Sequence, residues 1–331
     1  MSNNSSNTSM EENFTSSSPS SGLSSSVSYI TYMIFDILSI LCSLFVLYYL
    51  LSDRALRRAL NNHIIIVLLF LGITYELTTI SWDLYYLRNG IPWIESPIFY
   101  LFSFFLDYGL YVTQIILFAW ATIERHILIF HNQWITTKKQ RFYVHYLPII
   151  IILIYCLIYF SLITFAPFCE DSFEPYITGG VFIPCVFMGT ILGTLDLPIH
   201  QVIPTIIIVI FSVGLIVRVL WQKRKRNQLL QWRKHRKMTI QLLSISILYL
   251  TFNSPWTILI FASQYGLSDD VVAIPMVYAV YFRSYVLFLF PFVCCGSLSE
   301  LRGKVKKVFD RRRRNQIGAI ESLKIAPTTH K

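Results

Sequence analysis

The sequence predicts an all-α membrane protein, a seven-transmembrane helix bundle with a short amphipathic eighth helix, and three observations predict it. Seven apolar stretches each approach or exceed the roughly 20 residues a helix needs to cross a hydrocarbon core of about 30 Å. Basic residues gather on alternate connections between those stretches. The composition, 54% hydrophobic and only 14% charged over 331 residues, leaves little polar surface for soluble domains. Lipid offers the backbone no hydrogen-bond partner, so isolated runs of this length are helical. The alternating segments of about 10 residues that a membrane barrel requires do not occur.

The elements follow in order. Residues 1–28 are Ser/Asn/Thr-rich, nearly uncharged and without an apolar core, so they read as a disordered N-terminus. They carry Asn-x-Ser/Thr acceptors at Asn3, Asn4, Asn7 and Asn13, expected to be glycosylated on an extracellular segment. The bundle occupies 29–295, with stretches Tyr29–Leu51, Ile64–Leu84, Pro97–Ile123, Tyr146–Ala166, Val202–Trp221, Ile240–Ala262 and Val271–Cys295. The first is too long for a cleavable signal and is expected to direct insertion itself. Over 296–314, Leu298, Leu301, Val305, Val308 and Phe309 recur at helical spacing against Arg302, Lys304, Lys306 and Lys307. That pattern suits a basic amphipathic helix on anionic membrane lipids. Residues 315–331 read as a disordered cytoplasmic tail.

Charge sets the orientation. Of 28 Lys and Arg residues, only Arg88 and Arg283 lie away from the first, third and fifth connections, the adjoining helix ends and the C-terminus. The positive-inside rule places those parts in the cytoplasm and the N-terminus outside, as expected of a multi-pass plasma-membrane protein. The acids Glu11, Glu12, Glu95, Glu170, Asp171, Glu174, Asp269 and Asp270 fall on the opposite side. This distribution argues against nucleic acid as the partner of a +10 chain. Of six cysteines, only Cys169 and Cys185 face the oxidising side, both in a long connection from about Pro167 to Gln201. They are expected to pair, closing a loop of about 15 residues for roughly 3 kcal/mol.

The third stretch ends in Glu124-Arg125-His126, an acid–Arg pair at a membrane boundary, where a bundle-facing charge is functional and a lipid-facing Arg merely snorkels. The fifth, sixth and seventh stretches each contain a proline, Pro204, Pro255 and Pro291, that removes a helix hydrogen bond and permits a hinge.

Together these features resemble the rhodopsin-like (class A) G-protein-coupled receptors over about Tyr29–Phe309. The resemblance implies that Arg125, flanked by Glu124 and His126, meets a heterotrimeric G protein when the receptor is active. It also implies an extracellular ligand, and the chain departs from the family in several motifs. Phe290-Pro291-Phe-Val-Cys294 stands in place of Asn-Pro-x-x-Tyr, Asn253 in place of the Trp before Pro255, Gly72 in place of the sodium-binding Asp, and Tyr100 in place of the bridging Cys. The chain thus resembles a divergent branch of the family, with no recognisable ligand class.

Asp36, Glu76, Asp83, Asp107 and Arg283 lie at membrane depth and should face the bundle or its mouth. Asp107 sits 18 residues before Arg125, about 27 Å along the helix, where the resembled family carries an amine-pairing Asp. Arg283 reaches the same depth, so two arrangements stand open: an internal Asp107–Arg283 pair, or an Asp107 free for a cationic ligand. Tyr111, Trp256 and Tyr281 complete the candidate ligand-binding set with Asp107 and Arg283.

Other classes fit less well. A retinal photoreceptor needs a helix lysine, and none lies within the seven stretches. A channel or transporter without G-protein coupling is the alternative, but midplane polar rings and internal repeats are not evident. No nucleophile–base spacing suggests an enzyme, and no cofactor or metal is expected.

Overall fold

The computed structural model describes residues 25–130, 136–166, 169, 184–187, 190–224 and 229–297. The expected glycosylation positions, the amphipathic helix after 297 and the tail 315–331 lie outside these residues. Seven helices are long and apolar enough to span a membrane: α1 Ser26–Ser52, α2 Asn62–Asn89, α3 Pro97–Leu128, α4 Lys138–Phe165, α5 Ile191–Arg218, α6 Ile240–Gln264 and α7 Ile274–Ser297. No strand occurs among the described residues.

The bundle turns the usual amphipathic pattern inside out. On α1, Ile30, Ile34, Ile37, Leu41, Leu44 and Tyr48 recur at three- and four-residue spacing and are exposed, whereas Asp36, Ser39 and Ser43 are buried. On α4, Ile150, Ile154, Leu157, Ile158 and Leu162 repeat the exposed pattern. Such apolar faces are costly in water and suited to lipid, so the chain is a multi-pass membrane protein.

α3 is the hub, packing against α2, α4, α5 and α6, while α7 closes the ring between α6 and α1. α3 packs on α4 beside Gly109, where a Cβ would make an ordinary 3.5 Å contact with Phe160 Cβ. Phe160, Phe288, Leu69, Ile115 and Ile208 are fully buried at the shared core.

Three helices carry a widened turn: Glu76–Ile80 in α2, Phe142–Tyr146 in α4 and Pro198–Val202 in α5. The last lies where Pro204 has no N–H to offer the carbonyl four residues back. Pro255 and Pro291 sit inside continuous helix. α7 is preceded by helical turns from Asp269 and is interrupted at Ser284.

Several helix ends run past the expected stretches, α4 starting at Lys138 rather than Tyr146, and the largest difference is at α5. α5 begins at Ile191, eleven residues before Val202, so the long connection is correspondingly shorter. The reason is a polar cluster that breaks the apolar run yet is satisfied inside the bundle. Asp196 accepts from the Tyr159 hydroxyl (2.8 Å), from the Tyr108 hydroxyl and from His200 Nδ1 (2.8 Å). His200 Nε2 meets the Tyr155 hydroxyl at 2.7 Å. What remains of the connection is clasped by a Cys169–Cys185 disulfide, with Cα atoms 6.2 Å apart. Cys42, Cys156, Cys294 and Cys295 form no disulfide among the described residues.

Candidate functional site

Two charged positions anchor the interior, Arg283 on α7 and Arg125 at the far end of α3. Arg283 Nη2 lies 3.7 Å from Asp107 Oδ1, and both side chains are largely buried. That separation is an ion pair without a direct hydrogen bond. The Asp107 Oδ1 atom instead accepts from the Tyr75 hydroxyl of α2. The guanidinium carbon stands 4.3 Å from the Tyr111 ring centroid and 5.1 Å from that of Trp256, so aromatic faces supply what the carboxylate does not.

Tyr111 also fastens α3 to α6. Its hydroxyl donates to Asn253 Oδ1 at 2.6 Å, and Asn253 Nδ2 donates to the Tyr249 hydroxyl (2.7 Å) and to Thr257 Oγ1 (3.2 Å). Asn253, two residues before Pro255, is buried by this network.

Beneath Arg283 lies a narrow cleft of about 50 Å³. Its upper wall includes Arg283, Tyr111 and Asn253, its lower wall Leu68, Phe118 and Ile245. Gln114 lines it too, and its amide nitrogen has no hydrogen-bond partner. Leu68, Phe118 and Ile245 also line a smaller cleft of about 10 Å³ that contains Arg125. The two arginines thus face successive cavities divided by the same three side chains.

At the Arg125 end the acid of the motif turns to α4. Glu124 is fully buried and its Oε1 is bonded to His145 Nδ1. His145 Nε2 lies 2.9 Å from His63 Nδ1 of α2, and His63 Nε2 lies 2.8 Å from the Arg57 carbonyl oxygen. His126 packs edge-on against Phe211 of α5 with ring centroids 5.6 Å apart.

Of the residues singled out from sequence, Asp107, Tyr111, Trp256 and Arg283 come together. Tyr281 does not join them; it stacks on Tyr32 of α1 at 4.6 Å and accepts the Tyr32 hydroxyl bond at its carbonyl (2.8 Å). Asp36 and Glu76 face each other's helices, with Ser39 donating to Glu76 Oε1 and Asp36 Oδ1 and Glu76 Oε2 unpartnered. Sequence reading missed Tyr75, His63, His145 and the Asp196 cluster. The available signal was polar residues embedded in apolar runs. No metal-binding group of three or more ligating side chains occurs among the described residues.

No protein-family model and no curated protein sequence matches the chain. Among solved structures it is similar to squid rhodopsin, with a TM-score of 0.67, 17% identity and 87% of each chain covered. At that identity the likeness establishes the seven-helix fold of rhodopsin and nothing finer.

Proposed function

We propose that the chain is a G-protein-coupled receptor of the rhodopsin-like (class A) type rather than an enzyme. It sits in the plasma membrane with a glycosylated extracellular N-terminus and a cytoplasmic C-terminus. The observation that carries the reading is the pair of adjoining cavities, Arg283 above and Arg125 below, inside a rhodopsin-like bundle. A ligand held near Asp107, Tyr111, Trp256 and Arg283 competes with the Tyr111–Asn253 bond that fastens α6 to α3. Loosening that bond lets α6 swing about Pro255, with Pro204 and Pro291 giving the neighbouring helices compliance. The swing opens the Leu68–Phe118–Ile245 partition and exposes Arg125 to a heterotrimeric G protein. Membrane lipids cover the apolar belt. A ligand drives this only if it binds the open state more tightly.

The test is second-messenger output from cells expressing the full chain, with and without Arg125→Ala. Signal from the wild type that Arg125→Ala abolishes, at equal surface expression, supports the reading. An Arg125→Ala chain that signals normally overturns it.

A further inference from the structure

We propose that the pocket between α2 and α3, walled by Trp82, Tyr86, Trp93, Phe99 and Tyr100, binds a small organic monocation through the carboxylate of Asp83. The inference rests on the receptor reading and names the ligand class for that end of the bundle. The pocket also takes in Thr79, Ser103 and Asp107.

The first observation is charge. Asp83 and Asp107 both line the pocket, and Arg283 stands 3.7 Å from Asp107, so two acids face one base. Asp107 is already engaged by the Tyr75 hydroxyl and by Arg283. Asp83 accepts no hydrogen bond and forms no ion pair with any described residue, although it lines the pocket. Arg88 and Glu95 nearby are exposed, solvated and opposite in sign, so they leave the balance unchanged. Asp83 is only partly buried, so its carboxylate stays open to the pocket, and one added positive charge balances the two acids and one base.

The second is the wall. Trp82 meets Phe99 edge-on at 5.1 Å and Trp93 edge-on at 6.5 Å, so rings approach the pocket from several directions. A cage of aromatic faces beside a carboxylate is the arrangement that recognises ammonium groups. The third is Thr79. Thr74 and Thr78 donate back to the carbonyls four residues earlier, at 2.9 and 2.7 Å. Thr79, in the widened turn Glu76–Ile80, is 4% exposed and its hydroxyl has no partner. It lines the pocket and can accept a hydrogen bond from an ammonium N–H.

The experiment uses the full chain in lipid nanodiscs without G protein, so it stands apart from the Arg125→Ala result. Phenethylamine and tetramethylammonium are the cationic probes, 2-phenylethanol the neutral isostere and phenylacetate the anion. Both cations should raise the thermal unfolding midpoint saturably in the millimolar range, and the other two should not. Asp83→Asn should unfold no earlier than the wild type and lose the response. Trp93→Leu, at a position 53% exposed and hence tolerant of change, should weaken binding about tenfold. No shift with either cation overturns the proposal. So does a full response in Asp83→Asn, or a response to phenylacetate alone, which assigns the recognition to Arg283.

Discussion

Glu124, the acid beside Arg125, is bonded to His145 of α4, and both side chains are fully shielded from solvent. The motif at the end of α3 is thereby tied to α4 and, through His63, to the carbonyl of Arg57. Removing one partner of such a buried pair strands the other, at a cost of about 3–5 kcal/mol. His145→Phe should therefore lower the thermal stability of the purified protein sharply. The Glu124→Gln/His145→Phe double variant should recover much of the loss. Additive losses in that cycle would show that the two residues are not coupled.

Arg283 and Asp107 are predicted to behave as one unit. Arg283→Met leaves a buried carboxylate with only the Tyr75 hydroxyl, and Asp107→Asn leaves a buried guanidinium against Tyr111 and Trp256. The aromatic faces partly compensate the cation, so Asp107→Asn should cost less than Arg283→Met. Unfolding midpoints of the two variants in the same detergent give the comparison.

Gly193, at the start of α5, has no room for a side chain. A Cβ there would lie 2.7 Å from both Phe187 Cα and Val186 O, main-chain atoms that cannot step aside. Gly193→Ala should destabilise by about 1–3 kcal/mol through overpacking. Because Phe187 packs on Phe104 and Tyr108 of α3, the loss should also disturb ligand responses. A midpoint equal to that of the wild type would contradict the close contact.

The Cys169–Cys185 bridge closes a separation of 16 residues. Cys169→Ser and Cys185→Ser should each cost roughly 3 kcal/mol, and the double variant no more than either single one. Peptide mass spectrometry without reduction should recover the two cysteines joined, with the other four alkylated.

The basic residues His235, Arg236 and Lys237 precede α6 on its helical extension, where many members of the resembled family carry an acid that restrains the motif Arg. Like charges at these positions would repel Arg125 rather than hold it, so the wild type is predicted to signal without ligand. A silent wild type at normal surface density would remove that argument. An N-terminal tag stained only after permeabilisation would reverse the proposed orientation.

The sequence by itself determined the bundle. Length and apolarity suffice for a membrane helix because lipid leaves the backbone no alternative to its own hydrogen bonds, and alternating basic connections suggest an orientation. Its reading of α5 came up short because Asp196, His200 and Gln201 look polar in one dimension. Only packing supplies the tyrosines of α3 and α4 that satisfy Asp196 and His200. The same holds for the interior. Asp107 and Arg283 were legible as charges that must find company, but that Tyr75 takes the carboxylate's hydrogen bond while Tyr111 and Trp256 take the guanidinium was not. Tyr281, two residues before Arg283, is turned to the opposite face of its helix and stacks on Tyr32. Single-helix properties are encoded locally by hydropathy. Partner choice between helices depends on rotation and depth, which the tertiary structure alone decides.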